Sequence, residues 1–390
     1  MEPTELNEDG LLLRPWRAAD ADAVHRACQD PDIRRWTTVP SPYLLEHAIG
    51  FVGTIAPQSW AAGTGAPFAV CDAGTGELLA SCGLVGIDHG LRSAEVGYWT
   101  APWARGRGVA VRATRAVARW AFESLGIRRV IWQAELGNHA SRLVALRAGF
   151  RVEGQLRLAD PNPAGTGDGW IGSLLPGDLD RDTSALAGPG TLAARRAAVF
   201  GRPQPVLAGK ARGGEIRLRR PEERDVESLV TTCRDPETVR WTGVPHPYQR
   251  SDAEFFTGPY ARGRWDRGDG AVFVLADAAD AAVGAMELRI SPADPTLADI
   301  AFVVAPAARG LGYASAGLRT LCIWGFAALD LARVEWEAYV GNTASRRVAE
   351  QAGFVPEGVR RAGAWQRGEP RDVWTAGLLP SDLSVDRADA

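Results

Sequence analysis

The chain has 390 residues, 46% hydrophobic and 23% charged, with a formal net charge of −3. Such a composition excludes a largely disordered or collagen-like chain. No apolar run approaches the ~18 residues of a membrane-spanning helix, and the acidic balance gives no support to a nucleic-acid partner. The opening MEPTELNEDG has no apolar stretch of the secretory type, so a cytoplasmic protein with no membrane contact is expected. Five scattered cysteines (Cys28, Cys71, Cys82, Cys233, Cys322) form no C-x-x-C pair or Cys/His cluster, which predicts reduced thiols, no disulfide framework and no metal site.

In chain order, LLLR (11–14) reads as a short strand, and Asp20 is placed to cap a helix running to Ala27. Helical spacing covers 43–58. Strands follow at 67–72, 76–87 and 94–100, the first two as a hairpin. An Arg/Gly-rich loop leads into a long helix (109–125), a strand (129–135), a short helix (139–148) and terminal strands to 175. The same succession returns at 215–219, Asp225, 271–277, 281–290, 298–304, 313–329, 333–339, 343–352 and strands to 379.

The sequence itself repeats. WTTVPSPY (36–43) returns as WTGVPHPY (241–248) with six of eight residues identical, and AELGNHASRLVALRAGF (134–150) returns as AYVGNTASRRVAEQAGF (338–354) with eleven of seventeen identical. The offset is 205 residues early and 204 later, so one insertion or deletion separates the copies. A period this long is a duplicated domain, since solenoid repeats run about 20–50 residues. The expected domains are 11–180 and 214–384, with an Ala/Gly/Pro/Arg-rich linker at 181–213 that has room for a short helix at 191–200. Each domain is α/β, a mixed, mostly antiparallel central sheet flanked by helices.

The loops Arg105-Gly106-Arg107-Gly108-Val109-Ala110 and Arg309-Gly310-Leu311-Gly312-Tyr313-Ala314 stand between a strand and a long helix. Glycines let successive backbone N–H groups converge, and a helix N-terminus adds free amides and its positive dipole end, a combination that cradles phosphate. Neither loop is a Walker A sequence or a G-x-G-x-x-G fingerprint.

This R-x-x-G-x-A element, with the later Asn-x-x-Ser and Gly-Phe segments in both halves, resembles the GCN5-related N-acetyltransferase (GNAT) superfamily, in particular its RimJ/RimL-like ribosomal-protein N-acetyltransferases. The resemblance covers nearly all of both copies and implies an acyl-CoA-dependent N-acyltransferase. Acetyl-CoA or another acyl-CoA would be the co-substrate, and a primary amine of a protein N-terminus or small molecule would attack the thioester directly. By the same resemblance the loop amides hold the CoA diphosphate. Trp99, Thr100 and Ala101, and Val303, Val304 and Ala305, pair with the pantetheine arm, and Asn138 and Asn342 touch CoA. Ser141 and Ser345 are the candidates to serve the leaving thiolate, because the tyrosine common seven residues after the Asn is Ala145 or Ala349 here. Both Asn-Ser pairs also suit plain helix starts.

Glu95 and its counterpart Asp299 match the family's general-base position, since only a neutral amine attacks. Glu135, whose counterpart is Tyr339, is a second candidate in the first copy. Trp36, Tyr43, Trp241 and Tyr248 are candidates to line the acceptor groove, though recurrence equally suits core packing. The second copy closes with GVRRAGAWQRGEPRDVW (358–374). The first has GQLRLADPNPAGTGDGW (154–170) without the Arg371-Asp372 pair, so the acceptor sites are expected to differ. Two further organisations stay open: one catalytic lobe beside a structural or regulatory CoA-binding lobe, and a non-catalytic acyl-CoA-binding protein.

Overall fold

In the first half of the chain, strands form where apolar residues alternate or run together, and they assemble in near-sequential order. The computed structural model describes residues 1–158 and 167–383. The strands are β1 (Leu6–Glu8), β2 (Leu11–Arg14), β3 (Ala66–Asp72), β4 (Leu78–Asp88), β5 (Ser93–Thr100), β6 (Arg129–Glu135), β7 (Arg151–Leu156) and β8 (Gly169–Leu174). They make one sheet of order β1-β2-β3-β4-β5-β6-β8-β7. The single parallel pair is β5–β6. Helices α1 (Ala21–Cys28), α2 (Pro31–Trp36), α3 (Leu45–Gly50) and α4 (Ala56–Ala62) precede β3. Helix α5 (Val109–Ser124) joins β5 to β6, α6 (His139–Ala148) joins β6 to β7, and α7 (Ser184–Ala187) and α8 (Leu192–Phe200) follow β8.

The second half repeats this plan. Strands β9 (Leu207–Ala211), β10 (Gly214–Arg219), β11 (Gly270–Ala276), β12 (Ala282–Ile290), β13 (Leu297–Val304), β14 (Arg333–Tyr339), β15 (Val355–Gln366) and β16 (Glu369–Leu378) form a second eight-stranded sheet, again with one parallel pair, β13–β14. Helices α9 (Val226–Arg234), α10 (Pro236–Trp241), α11 (Arg250–Phe255), α12 (Ala261–Arg267), α13 (Tyr313–Leu329), α14 (Thr343–Ala352) and α15 (Pro380–Leu383) complete it. The fold class is the expected one: two tandem, mostly antiparallel mixed sheets flanked by helices.

Each sheet is packed on both faces. Helix α5 buries Val109, Ala113, Ala116, Val117 and Ala121, a three-and-four spacing that lays small side chains on the sheet. Beneath it lie Phe68, Leu84, Trp132 and Phe150. The opposite face is covered by Trp16, Val24, Ile33, Tyr43 and Val52, with Trp99 of β5 packed against them.

The chain divides into units 1–194 and 195–390, so 181–213, expected to be linker, is structured within both. Thr183 Oγ1 donates to Arg147 O and Arg147 Nε to Ala187 O. On the other side Trp265 Nε1 donates to Arg202 O, Phe200 packs on Trp265, and β9 pairs with β10. The composition hid these contacts because short alanine-rich and glycine-rich elements carry little periodicity. Residue 384, the expected end of the second domain, and 159–166 of the expected Pro/Gly loop lie outside the described residues.

Asp20 and Asp225 sit at the helix starts as expected, but their carboxylates turn back into the protein. Arg14 donates both Nη groups to Asp20 at 2.8 Å, and the Arg17 N–H donates to the same carboxylate. Arg219, Asp225 and the Glu222 N–H repeat this at 2.8 Å. Both side chains of the first pair are under 10% exposed. Removing one partner of a buried pair strands the other charge, at a cost of about 3–5 kcal/mol. Asp20→Ala should therefore destabilise the first domain by about that much in urea unfolding of the full chain, and a loss below about 1 kcal/mol, the range of an exposed pair, would contradict the assignment.

Candidate functional site

Both domains open their sheet at the same point. Strand β5 pairs with β6 only through Ser93–Arg129, Ala94–Val130 and Glu95–Ile131, while on its other side it stays in register with β4 as far as Thr100. Strand β13 pairs with β14 only through Leu297–Arg333, Ala298–Val334 and Asp299–Glu335. Beyond these residues the strands part, leaving the edge of Val96–Thr100, and of Ile300–Val304, without a strand partner.

The glycine loops stand beside these gaps. Gly106 and Gly108 have φ of 76° and 70°, and Gly310 and Gly312 have 78° and 79°, a left-handed turn that a Cβ disfavours. Gly108 and Gly312 occupy the N-cap positions of α5 and α13, and no side chain caps either helix. The first amides of both helices are therefore left for a ligand. An uncapped helix start reached by two left-handed glycines, beside an unpaired strand edge, fits an elongated ligand with a diphosphate at one end, as CoA is. Val109 and Ala110 are buried under the loop and offer backbone only. In the second loop Tyr313 is also buried, its O–H donating to Gly213 O, and Gly213 N–H donates to Leu311 O.

Three expectations need correction. Arg105 does not face a free phosphate site: its guanidinium donates to Asp30 at 2.6 Å, and Arg309 does the same to Asp235 at 2.6 Å. Burial pushes Asp30 up, but the Arg105 bond and the Ile33 N–H outweigh it and hold the carboxyl below its ordinary range. Each signature arginine thus ties the loop to the start of α2 or α10. Arg107, which approaches Asp72 only at 3.9 Å, is the freer cation, and Leu311 replaces it in the second domain. Second, the Ala101 and Ala305 N–H groups are already donated to Leu79 O and Val283 O; by the same antiparallel alternation Trp99 and Val303 face β4 and β12, so Thr100 and Val304 are the strand-end residues turned to the gap, and Val304 O already accepts from Arg309 Nε at 3.3 Å. Third, Tyr43 and Tyr248 are core residues, 5% and 6% exposed. Trp36 and Trp241 are half-buried; Trp36 lies under the Arg35 guanidinium, and Trp241 sits against Gly341, next to Asn342.

Asn138 and Asn342 act as helix caps, accepting from the Ser141 and Ser345 N–H at 3.0 Å. Ser141 Oγ accepts from Trp132 Nε1 at 3.0 Å and lies 3.0 Å from the Tyr98 O–H. Ser345 Oγ accepts from Trp336 Nε1 at 3.2 Å, and the residue in register with Tyr98 is Phe302. Neither the indoles nor Tyr98 was singled out in the sequence, although the Tyr/Phe difference is visible once the repeats are aligned.

The two candidate bases differ more. Glu95, the last residue before β5 leaves β6, accepts from Gln133 Nε2 at 3.3 Å and has no ion-pair partner among the described residues. Burial raises its pKa. Asp299 stands across from Arg289, which donates Nε to it at 2.6 Å. Val85 holds the Arg289 position in the first domain. Arg289 is part of a cluster on this face: Tyr260 O–H donates to the buried Glu287 at 2.5 Å, and Arg264 pairs with Glu287 at 3.2 Å. Glu135 stands further along β6, beside Gly167. The first copy lacks the Arg371-Asp372 pair as a pair, but Asp372 has a counterpart in Asp168: each carboxylate accepts a backbone N–H from the adjoining strand end, of Ala362 and Leu158. Gly167 holds the Arg371 position in the first domain, and β15 and β16 run on to Gln366 and from Glu369, whereas β7 ends at Leu156 and β8 begins at Gly169.

All five cysteines are buried. Burial pushes Cys28 up to about 11 and Cys82 to about 12, which leaves no thiolate for covalent catalysis. Among the described residues no group of His, Cys, Asp or Glu could hold a metal ion, and no helix is long and apolar enough to cross a membrane.

The chain is similar to known proteins along both halves. The family model for the acetyltransferase (GNAT) domain matches residues 10–151 and again 215–355. The chain is 40% identical over 82 residues to the putative ribosomal N-acetyltransferase YdaF of Bacillus subtilis, covering 21% of this chain and 45% of that protein. It is 28% identical over 152 residues to the uncharacterized N-acetyltransferase YoaA of B. subtilis, covering 39% of this chain and 85% of that one. It is 35% identical over 84 residues to the ribosomal-protein-serine acetyltransferase of Escherichia coli, covering 22% and 47%. The chain thus spans about half the length of two of these three relatives. Among solved structures, Mycobacterium smegmatis RimJ in complex with CoA-disulfide aligns with a TM-score of 0.40 at 24% identity, over 47% of this chain and 94% of that one.

A Cβ at Gly108 meets nothing within 4 Å, so Gly108→Ala acts through the left-handed backbone alone, a strain of about 1–2 kcal/mol. It should weaken CoA binding to the first domain about tenfold in calorimetry while the cores stay intact. Unchanged affinity would show that the loop does not need this turn.

Proposed function

The chain belongs to the GNAT acetyltransferase domain family in both of its halves, and from that premise we propose that it is an acyl-CoA-dependent N-acyltransferase whose turnover is carried by the first domain. When bound, acetyl-CoA supplies an activated thioester carbonyl. The acceptor is a primary amine, and relatives named for ribosomal proteins favour a protein α-amine over a small molecule. The glycine loops and strand edges hold the co-substrate through Arg105–Ala110, Thr100 and Asn138, and through Arg309–Ala314, Val304 and Asn342. Arg105 and Arg309 serve this by fixing their loops.

The observation that carries the reading is the difference between Glu95 and Asp299. An α-amine with a pKa near 8 is mostly protonated at pH 7 and must lose a proton to attack. Glu95 stands half-buried where the strands part, with a raised pKa and no cation beside it, so it is a better proton acceptor than an ordinary carboxylate. Asp299 is held by Arg289. The ion pair occupies its carboxylate and turns it to Arg289 rather than to an incoming amine. The second domain is then a CoA-binding lobe with structural or regulatory work. Its intact loop supports binding, and the Arg289 pair argues against turnover there.

Glu95→Gln should lower kcat about 100-fold at pH 7, within the usual range for a general base, and Asp299→Asn should change it less than about twofold. Equal losses would make both domains active. No loss in either would remove both from the base role, and CoA binding without thiol release from any amine would reduce the chain to a binding protein.

A stability consequence follows from the same burial. The folded state holds the Glu95 proton more tightly than the unfolded chain does. Its contribution to stability is therefore full below the ordinary carboxylate pKa, about 4.3, and is lost as pH rises through the raised folded value. The melting temperature of Glu95→Gln relative to the parent should rise between about pH 4 and pH 7; a constant difference would mean that Glu95 is not desolvated.

A further inference from the structure

One polar contact in the first domain is missing from the second. Tyr98 stands opposite Cys82, and Phe302 opposite Met286, at equivalent register positions. Tyr98 lies three residues past the last pairing residue of β5, and Trp132 one residue past that of β6. Ser141 Oγ is 3.0 Å from both the Tyr98 O–H and Trp132 Nε1. The serine thereby bridges the two strands at the mouth of the gap. Ser345 bridges less: it receives Trp336 Nε1 at 3.2 Å, and Phe302, at the position equivalent to Tyr98, has no hydroxyl to offer it.

A serine hydroxyl has one hydrogen and two lone pairs, and an indole N–H only donates. Trp132 therefore fills one lone pair of Ser141. The Tyr98 hydrogen has two acceptors in reach, Ser141 Oγ and the Ser141 carbonyl oxygen at 3.1 Å. When it turns to Oγ, both lone pairs are filled and the serine hydrogen has to point elsewhere. Burial raises the Tyr98 pKa far above neutrality, so this donor is present at every working pH. Negative charge developing in the gap selects the arrangement with the serine hydrogen facing it: the Tyr98 hydrogen turns from the Ser141 carbonyl oxygen to Oγ as the serine hydrogen turns into the gap. Preorganised donors of this kind act on charge that builds up in the transition state.

We propose that Tyr98 is a positioning residue that aims the Ser141 hydroxyl at the sulfur of the departing thiolate, and that Phe302 leaves Ser345 without this aim. Ser141 donates a hydrogen bond to the sulfur without giving up its proton. The inference rests on the acyltransferase reading above, with Ser141 serving the leaving group.

The test is steady-state kinetics of the full chain with acetyl-CoA and an accepted amine, for Tyr98→Phe, Ser141→Ala and the double variant. Phenylalanine is what the second domain carries at this position, so the fold should tolerate it, and a melting curve checks that. Tyr98→Phe should lower kcat about tenfold with KM for acetyl-CoA within about twofold, and it should add nothing in the Ser141→Ala background, as expected for residues acting as one unit. Unchanged kcat in Tyr98→Phe, a loss confined to KM, or an equal loss with and without Ser141 would overturn the proposal. Full kcat in Ser141→Ala would instead overturn the leaving-group reading on which it rests, while the Glu95 result stands apart from both.

Discussion

Everything in the two sites follows from the early end of one strand pairing. A parallel pair that stops after three residues leaves backbone polar groups on two facing edges, and buried groups of that kind need partners. The parting creates the gap, and the uncapped start of α5 or α13 lies beside it. The indole of Trp132 or Trp336 and the Asn-capped helix then set a serine across the opening. None of this requires an unusual residue. It requires a strand that turns away and a left-handed glycine pair that lets the next helix begin in the right place.

The duplication makes each domain a control for the other. The features that would hold CoA recur almost unchanged: the parted strands, the glycine pair, the arginine that latches the loop to an aspartate, and the Asn-Ser helix start. The differences gather on the opposite face and at the serine. Val85 and Gly83 in the first domain stand where Arg289 and Glu287 stand in the second, and Tyr98 stands where Phe302 does. Ion pairs join Arg289 to Glu287 and Asp299 in the second domain, whereas Glu95 in the first has no ion-pair partner among the described residues.

The fold was legible because it is written twice. Periodicity placed α5 and α13, and the repeated Gly-x-Gly fixed their starts. The roles of particular polar side chains were less legible. Arg105 reads as a phosphate ligand, yet its geometry serves Asp30, 75 residues earlier in the chain. Tyr43 and Tyr248 recur because they pack in the core. Arg289 and Tyr98 drew no notice because the first lies in an ordinary strand and the second in an apolar run. Their meaning depends on cross-strand register, which sequence spacing does not supply. The segment 181–213 reads as linker because its helices are too short for a pattern, although its backbone and side chains are bonded into both units.

The central claim is that both domains retain a working cradle for CoA while only one retains the surroundings for turnover. Calorimetric titration of the full chain with acetyl-CoA, in the absence of any amine, tests its first half directly. The account predicts two molecules bound per chain. A stoichiometry of one would contradict it, by showing that the repeated loop and parted strands of one domain no longer hold the co-substrate.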